Sequence, residues 1–249
     1  MRCIIYLSLF IQNSGAIISG FFVLQVLFAP NDWTAHTIDI VVPNTSWTTF
    51  TRDFTQQFGA TLMTSRDIYS SETIGYSEVK YYRHGETLFQ AKRSTETPPT
   101  HTLTLAPTTL LMNYISHDHI CVPYPHLTLR REGILLSTNT CHHLTILSCA
   151  DRGFTIRQNR LHICGPPSPS PNNHVQAPAL CPQERRTFHD QKCLILPLSH
   201  ERPHLRANVG VYWVIGGYGC SPACRPYTPS HSGILTYSKD GSSHEQMAL

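Results

Sequence analysis

Charge is scarce in this sequence. Only 14% of its 249 residues are Asp, Glu, Lys or Arg, against about 25% in an average soluble domain. The formal net charge is +3, and the densest basic runs are the pairs Arg130-Arg131 and Arg185-Arg186, too small for an electrostatic footprint on nucleic acid. No nucleic acid is therefore expected as a partner. Also missing are a G-x-S-x-G nucleophile elbow, a phosphate loop, a dinucleotide fingerprint and an EF-hand loop. No cofactor is called for, and the chain is not read as an enzyme. Between Cys3 and Cys121 there is no cysteine at all, so the first half must be held by packing rather than cross-links.

What is present begins with apolar residues. Met1-Arg2 supplies a short positive end, Ile4 to Ile11 an apolar run, and Ser14-Gly15-Ala16 the small residues of a signal-peptide cleavage site. A second apolar stretch runs from Ile17 to Ala29 and stops at Pro30. Together they exceed the roughly 20 residues that span a bilayer. Three readings stay open: a cleaved secretory signal, an uncleaved signal-anchor that tethers the chain to a membrane, and a buried hydrophobic element. The first two place the product in the secretory pathway, extracellular or membrane-anchored.

Removal of Cys3 would leave Cys121, Cys141, Cys149, Cys164, Cys181, Cys193, Cys220 and Cys224, an even set in the C-terminal half. In an oxidising compartment that parity points to a disulfide framework whose connectivity the sequence does not choose. Asn44-Thr45-Ser46 is an ordinary glycosylation sequon at Asn44.

Most of the chain alternates with the two-residue period of half-buried strands. Thr37 to Val42, Tyr76 to Tyr82, Thr102 to Leu105, His126 to Arg130, Gly133 to Ser137, Leu144 to Cys149, Leu194 to Leu198, Val209 to Ile215 and Gly233 to Tyr237 read as strands. Trp47, Phe50, Phe54 and Phe58 recur at helical spacing, with Ser46 as N-cap and Gly59 as stop, and predict one short amphipathic helix whose aromatic stripe is core. Four prolines between Pro166 and Pro171 cannot sustain a ladder or a helix and mark an extended linker. The expected organisation is a signal or anchor over residues 1–30, a β-rich domain over 31–164, a proline-rich linker over 165–180 and a small Cys-containing region over 181–249. The fold class is mostly β: antiparallel sheets, one short helix and a disulfide-stapled C-terminal module.

Three clusters carry metal-capable or redox-capable residues. His200-Glu201-Arg202-Pro203-His204 matches H-E-x-x-H, but that motif works only inside a helix, which Pro203 breaks. His117, His119 and Cys121 fall on one face if extended and could begin a zinc or copper site, with His142 or His143 as a fourth ligand. With 15 histidines in the chain such coincidences are cheap, and exposed strand-end histidines are the favoured reading. Cys220 and Cys224 are one residue too far apart for a thioredoxin-like C-x-x-C.

The stretch Asn208-Val209-Gly210-Val211-Tyr212-Trp213-Val214-Ile215-Gly216-Gly217-Tyr218 resembles the C-terminal part of gammaretrovirus-type envelope surface subunits, where a Gly-aromatic-aromatic-x-Cys-Gly strand is followed by Tyr and a further Cys. Ile215 stands where that family has its Cys. The resemblance implies a truncated or degenerate surface subunit in which residues up to about Cys164 engage a host receptor, Gly165 to Leu180 form a hinge and the remainder contacts a partner subunit. The expected function is thus an ectodomain-type binding protein with a protein receptor or partner. Its alternatives are an orphan reading-frame product with little stable structure, and a secreted metal-binding protein or hydrolase.

Overall fold

The computed structural model of the chain describes residues 2–30, 33–67, 75–136, 143–157, 184–188, 190–198, 211–215, 235–237 and 243–245. In chain order these residues form α1 (Arg2–Ser14), β1 (Ile17–Ser19), α2 (Phe21–Leu27), β2 (Thr37–Val42), α3 (Trp47–Gln56), β3 (Thr61–Asp67), β4 (Tyr76–His84), β5 (Thr87–Ser94), α4 (His101–Thr104), β6 (Tyr114–Ile115) and β7 (His119–Val122). There follow α5 (Pro125–Thr128), β8 (Glu132–Ile134), α6 (His143–Asp151), β9 (Thr155–Arg157), β10 (Arg186–Thr187), β11 (Leu194–Pro197), β12 (Tyr212–Val214), β13 (Leu235–Tyr237) and β14 (Ser243–Glu245). The chain divides into two compact units. The first comprises Met1–Leu105, Leu111–Cys121 and Ile195–Val209; the second comprises Ala106–Leu110, Val122–Leu194 and Gly210–Leu249.

The first unit is organised on an eight-stranded sheet in the order β11-β7-β6-β1-β2-β5-β4-β3. The pairs β6–β7, β1–β6, β1–β2, β4–β5 and β3–β4 are antiparallel, whereas β2 and β5 run parallel through six registered residues, Thr37 with Leu88 to Val42 with Arg93. Parallel neighbours need a long crossover, and α3 with the β3–β4 hairpin occupies it. The α3 stripe arises as the sequence dictates. Trp47, Phe50 and Phe54 are buried, Phe54 lies within 5.3 Å of the Phe50, Phe58, Tyr82 and Phe89 ring centroids, and Gly59 ends the turn at φ +76°. Ser46 departs from its expected role: it sits at the N-cap without capping the helix, and its hydroxyl donates to the carbonyl of Ser14 at the end of α1 instead (2.6 Å).

The hydrophobic N-terminal segment forms the middle of this sheet. Ile17, Ile18 and Ser19 pair with Val41, Ile40 and Asp39 on one side, and Ile18 with Ile115 on the other. Ala16, Ile17, Ile18, Val23 and Leu24 are buried. Gly20 allows the sharp exit from β1: its φ is +76°, and a Cβ there would meet the Asp39 carboxylate at 2.8 Å. Among the described residues no helix is long and apolar enough to cross a membrane.

The fold is a mixed α/β arrangement rather than antiparallel β with one helix: a mixed eight-stranded sheet is accompanied, among the described residues, by six α-helices. Three expected strands are helical. Thr102–Leu105 overlaps α4 and His126–Arg130 overlaps α5, each led in by proline (Pro98-Pro99 and Pro125), which suits a first helical turn. Leu144–Cys149 lies in α6, because a continuous apolar run has no period that separates strand from helix. The expected strands at 37–42 and 76–82 are present, the second extended to His84.

In the second unit, β8 and β9 form a parallel pair connected through α6. A four-stranded antiparallel sheet has the order β10-β12-β13-β14. Trp213 and Phe188, 4.5 Å apart between ring centroids, lie fully buried beside Tyr124. Among the described residues no disulfide is formed, and Cys149 and Cys193 are free thiols. The disulfide-stapled module is not present in what is described. The proline-rich linker 165–180, Cys141, Cys164, Cys181, Cys220, Cys224, His142, His200 and His204 lie outside the described residues.

Candidate functional site

The β6–β7 turn brings Tyr114, Ser116, Asp118 and His119 together. His119 is buried, contrary to the expectation of exposed strand-end histidines, because β7 is an interior strand of the sheet. Its Nδ1 lies 2.6 Å from Asp118 Oδ1 and 2.9 Å from Ser116 Oγ, and its Nε2 lies 3.1 Å from the Tyr114 hydroxyl. Ser116 Oγ donates to Asp118 Oδ1 (2.7 Å) and accepts from the His119 amide (3.1 Å). A neutral imidazole with its proton on Nδ1 satisfies the whole set. Burial lowers the His119 pKa, and the neighbouring Asp118 only partly opposes that shift.

Serine, histidine and aspartate in contact suggest a nucleophile, but the geometry is wrong for one. A catalytic triad places serine and carboxylate on opposite ring nitrogens, whereas here both share Nδ1. Nor are the candidate metal ligands His117, His119 and Cys121 brought together. His119 and Cys121 share a face of β7, both buried, but His117 sits in the turn before the strand with its Nδ1 3.9 Å from Asp118. Among the described residues no three His, Cys, Asp or Glu side chains are placed to hold a metal ion.

A second polar cluster lies within the other unit. The buried Arg186 guanidinium donates to both Asp190 oxygens (2.6 and 3.0 Å) and to the Pro123 carbonyl (2.8 Å), with its Cζ 4.9 Å from the Tyr124 ring centroid. The Tyr124 hydroxyl in turn accepts from Trp213 Nε1 (2.7 Å). Burial alone would raise the Asp190 pKa, but hydrogen bonds from Arg186 and its charge, with the amides of Thr187 and Lys192, bring it below the usual value. Sequence reading assigns Arg186 no such role; its spacing of four from Asp190 is the one available signal. The cluster also takes in the free thiol of Cys193, whose Sγ lies 3.7 Å from the Arg186 guanidinium and donates to Asp190 Oδ1 (3.5 Å).

The open part of the large sheet is the more promising surface. Registered neighbours share a face, so one lateral row runs Ser19, Asp39, Gln90, Tyr81, Thr64 across five strands. The rows beside it run Thr37, Leu88, Arg83, Thr61 and Val41, Lys92, Val79, Arg66. Near β2 this face is closed: Lys92 Nζ donates to Asp39 (2.8 Å). Burial opposes the Lys92 charge, yet Asp39 together with Tyr76 and Tyr81 more than offsets that and raises its pKa. Toward β3 it opens. Thr61, Thr64, Arg66, Tyr81 and Arg83 are exposed there, and Gln90 Nε2 donates to the Tyr81 hydroxyl (3.0 Å). The described strand positions of this face carry Arg66, Arg83, Lys92 and Asp39, of which Lys92 and Asp39 pair with each other. The opposite face carries the aromatic core and the contact of Trp47 Nε1 with Glu78 (2.6 Å).

Asn44 is exposed at the start of a short 3-10 turn before α3, where its side-chain oxygen accepts from Arg93 Nε (2.7 Å). Asn44 and Thr45 are exposed, and Ser46 is half-buried.

Comparison of the chain with protein-family models, with curated proteins and with solved structures finds no match in any of the three.

Proposed function

We propose that this chain is a protein-recognition module rather than an enzyme, and that it binds an extended acidic segment of its partner across the exposed β3–β4–β5 face. The supporting observation is the make-up of that face: the exposed Arg66 and Arg83 stand on either side of an exposed Tyr81, and Asp39 on the same face is paired with Lys92. Arg66 registers with Val79, four residues from Arg83 on β4, which sets the two cations about 13 Å apart along the strands at about 3.3 Å per residue. An extended peptide with carboxylates four residues apart matches that spacing, and its backbone would cross the Tyr81 ring. Opposite charges at an exposed surface contribute selectivity and association rate more than affinity.

Under the resemblance to envelope surface subunits, the same face falls in the receptor-engaging region before Cys164. Disulfides in the C-terminal region remain part of the proposal: among Cys141, Cys164, Cys181, Cys220 and Cys224, which lie outside the described residues, at most two bridges can form, and peptide mapping with and without reduction tests them.

The binding experiment uses a fluorescent peptide with two Glu residues four apart and its Gln counterpart, titrated with the full chain. The Glu peptide is expected to bind, to weaken as salt rises, and to lose about tenfold or more in affinity to Arg83→Glu, since like charges then face each other. Equal binding of the Glu and Gln peptides, or indifference to Arg83→Glu, refutes the proposal.

A further inference from the structure

The apolar N-terminal segment has the composition of a leader and the position of a keystone. β1 is hydrogen-bonded on both sides, to β2 and to β6, and among the described residues it is the strand that joins β11-β7-β6 to β2-β5-β4-β3 in the sheet order. The helices either side of it are fastened as well. From α1, the Phe10 ring meets Phe54 edge-on at 6.1 Å and Phe58 at 5.7 Å, and the Ser14 carbonyl accepts from Ser46. From α2, the Gln25 side-chain oxygen accepts from the Ala35 amide at 2.8 Å.

We infer that residues 2–27 are retained in the mature chain as a structural part of its core, and that the bond between Ala16 and Ile17, where a signal peptidase would be expected to cut, stays intact in every folded molecule. The inference concerns processing and does not rest on the recognition reading. Shielding is not the reason, because a signal peptidase acts on the unfolded nascent chain. The reason is that the two outcomes exclude each other. A chain cut at that bond would lack α1; a chain starting at Asn31 would lack β1 as well, leaving Asp39, Ile40 and Val41 with an unpaired edge and the sheet in two parts. Unpaired backbone groups and uncovered apolar surface on that scale remove the basis of a cooperative fold.

The test is expression of the full chain in a secretory cell, isolation of the material that melts cooperatively, and measurement of its intact mass and N-terminal peptides. Peptides spanning Ala16 and Ile17 are expected in all of it. Ile18→Asp, in the same full-length chain, is expected to abolish the cooperative melt, while Ile18→Val keeps it. A cooperatively melting product that begins at Ile17 or Asn31 overturns the inference. So does an Ile18→Asp chain that melts like the parent, because a removed residue cannot affect the mature fold.

Discussion

Replacing Phe54 by Ala should reveal whether the first unit has one core shared between α1, α3 and the sheet. Phe54 is fully buried, and its ring has five aromatic neighbours: Phe10, Phe50, Phe58, Tyr82 and Phe89, with centroids 4.7 to 6.1 Å away. A buried Phe→Ala change costs about 3–5 kcal/mol when the site cannot collapse. Rings fixed from several directions leave little room for collapse, so about 4 kcal/mol is expected. At a urea slope of about 2 kcal/mol/M, the unfolding midpoint should fall by about 2 M. Leu144→Ala is the control: Leu144 is 74% exposed, and its replacement should stay within about 0.5 kcal/mol. The Phe10→Ala, Phe54→Ala cycle then isolates the contact of the N-terminal helix. Touching residues couple by about 0.5–3 kcal/mol, so the double variant should depart from additivity by at least ~0.5 kcal/mol. A midpoint drop below about 0.5 M, or additivity within about 0.3 kcal/mol, refutes the reasoning.

Two further outcomes follow from the buried polar clusters. His119 has a lowered pKa because burial disfavours its charged form; the unfolded chain then binds the proton more readily, so this contribution to stability is full above the unfolded value near pH ~6.5 and declines as pH falls below it. Thermal melts between pH 7.5 and 5 should show that decline, and His119→Asn should flatten it; an unchanged slope would mean the imidazole is not buried neutral. Arg186→Ala removes the partner of Asp190 from a buried site, and should cost about 3–5 kcal/mol in unfolding free energy. Because the Asp190 pKa is depressed, its contribution is present above about pH 4 and lost as pH falls through the lower folded value. The parent should therefore lose stability below pH 4 faster than the variant, and parallel acid titrations would contradict the assignment.

Parts of this architecture are legible in the amino-acid sequence. Thr37–Val42 is legible because Ile38 and Ile40 alternate with Thr37 and Asp39 before two β-branched valines, although burial along it rises toward Val42 rather than alternating, and the α3 stripe is visible because its phenylalanines recur at helical spacing. The strand β1 is hidden for a physical reason: Ile17–Ser19 lies inside a long apolar run, and composition alone does not distinguish burial in lipid from burial on both faces of a sheet. β3 escapes notice because all seven of its residues are exposed, which erases the alternation that betrays a strand. The arginine-rich face is illegible for a subtler reason. The register shifts between Leu62 and Thr64, so that they pair with the consecutive residues Tyr82 and Tyr81. That irregularity reverses the parity of every later position in β3, and places Arg66 beside Tyr81 and Arg83 on a face that simple counting from Thr61 would deny it.

The position of β1 also sets a clock. β2 leaves the ribosome soon after it, but its other neighbour, Ile115 in β6, lies roughly 100 residues further along, a delay of ~5–20 s at ordinary synthesis rates. During that interval the most apolar stretch of the chain is only half enclosed. Any cellular factor that captures nascent apolar segments competes with β2 for it. The fate of the newborn protein is thus decided by a race between local pairing and capture.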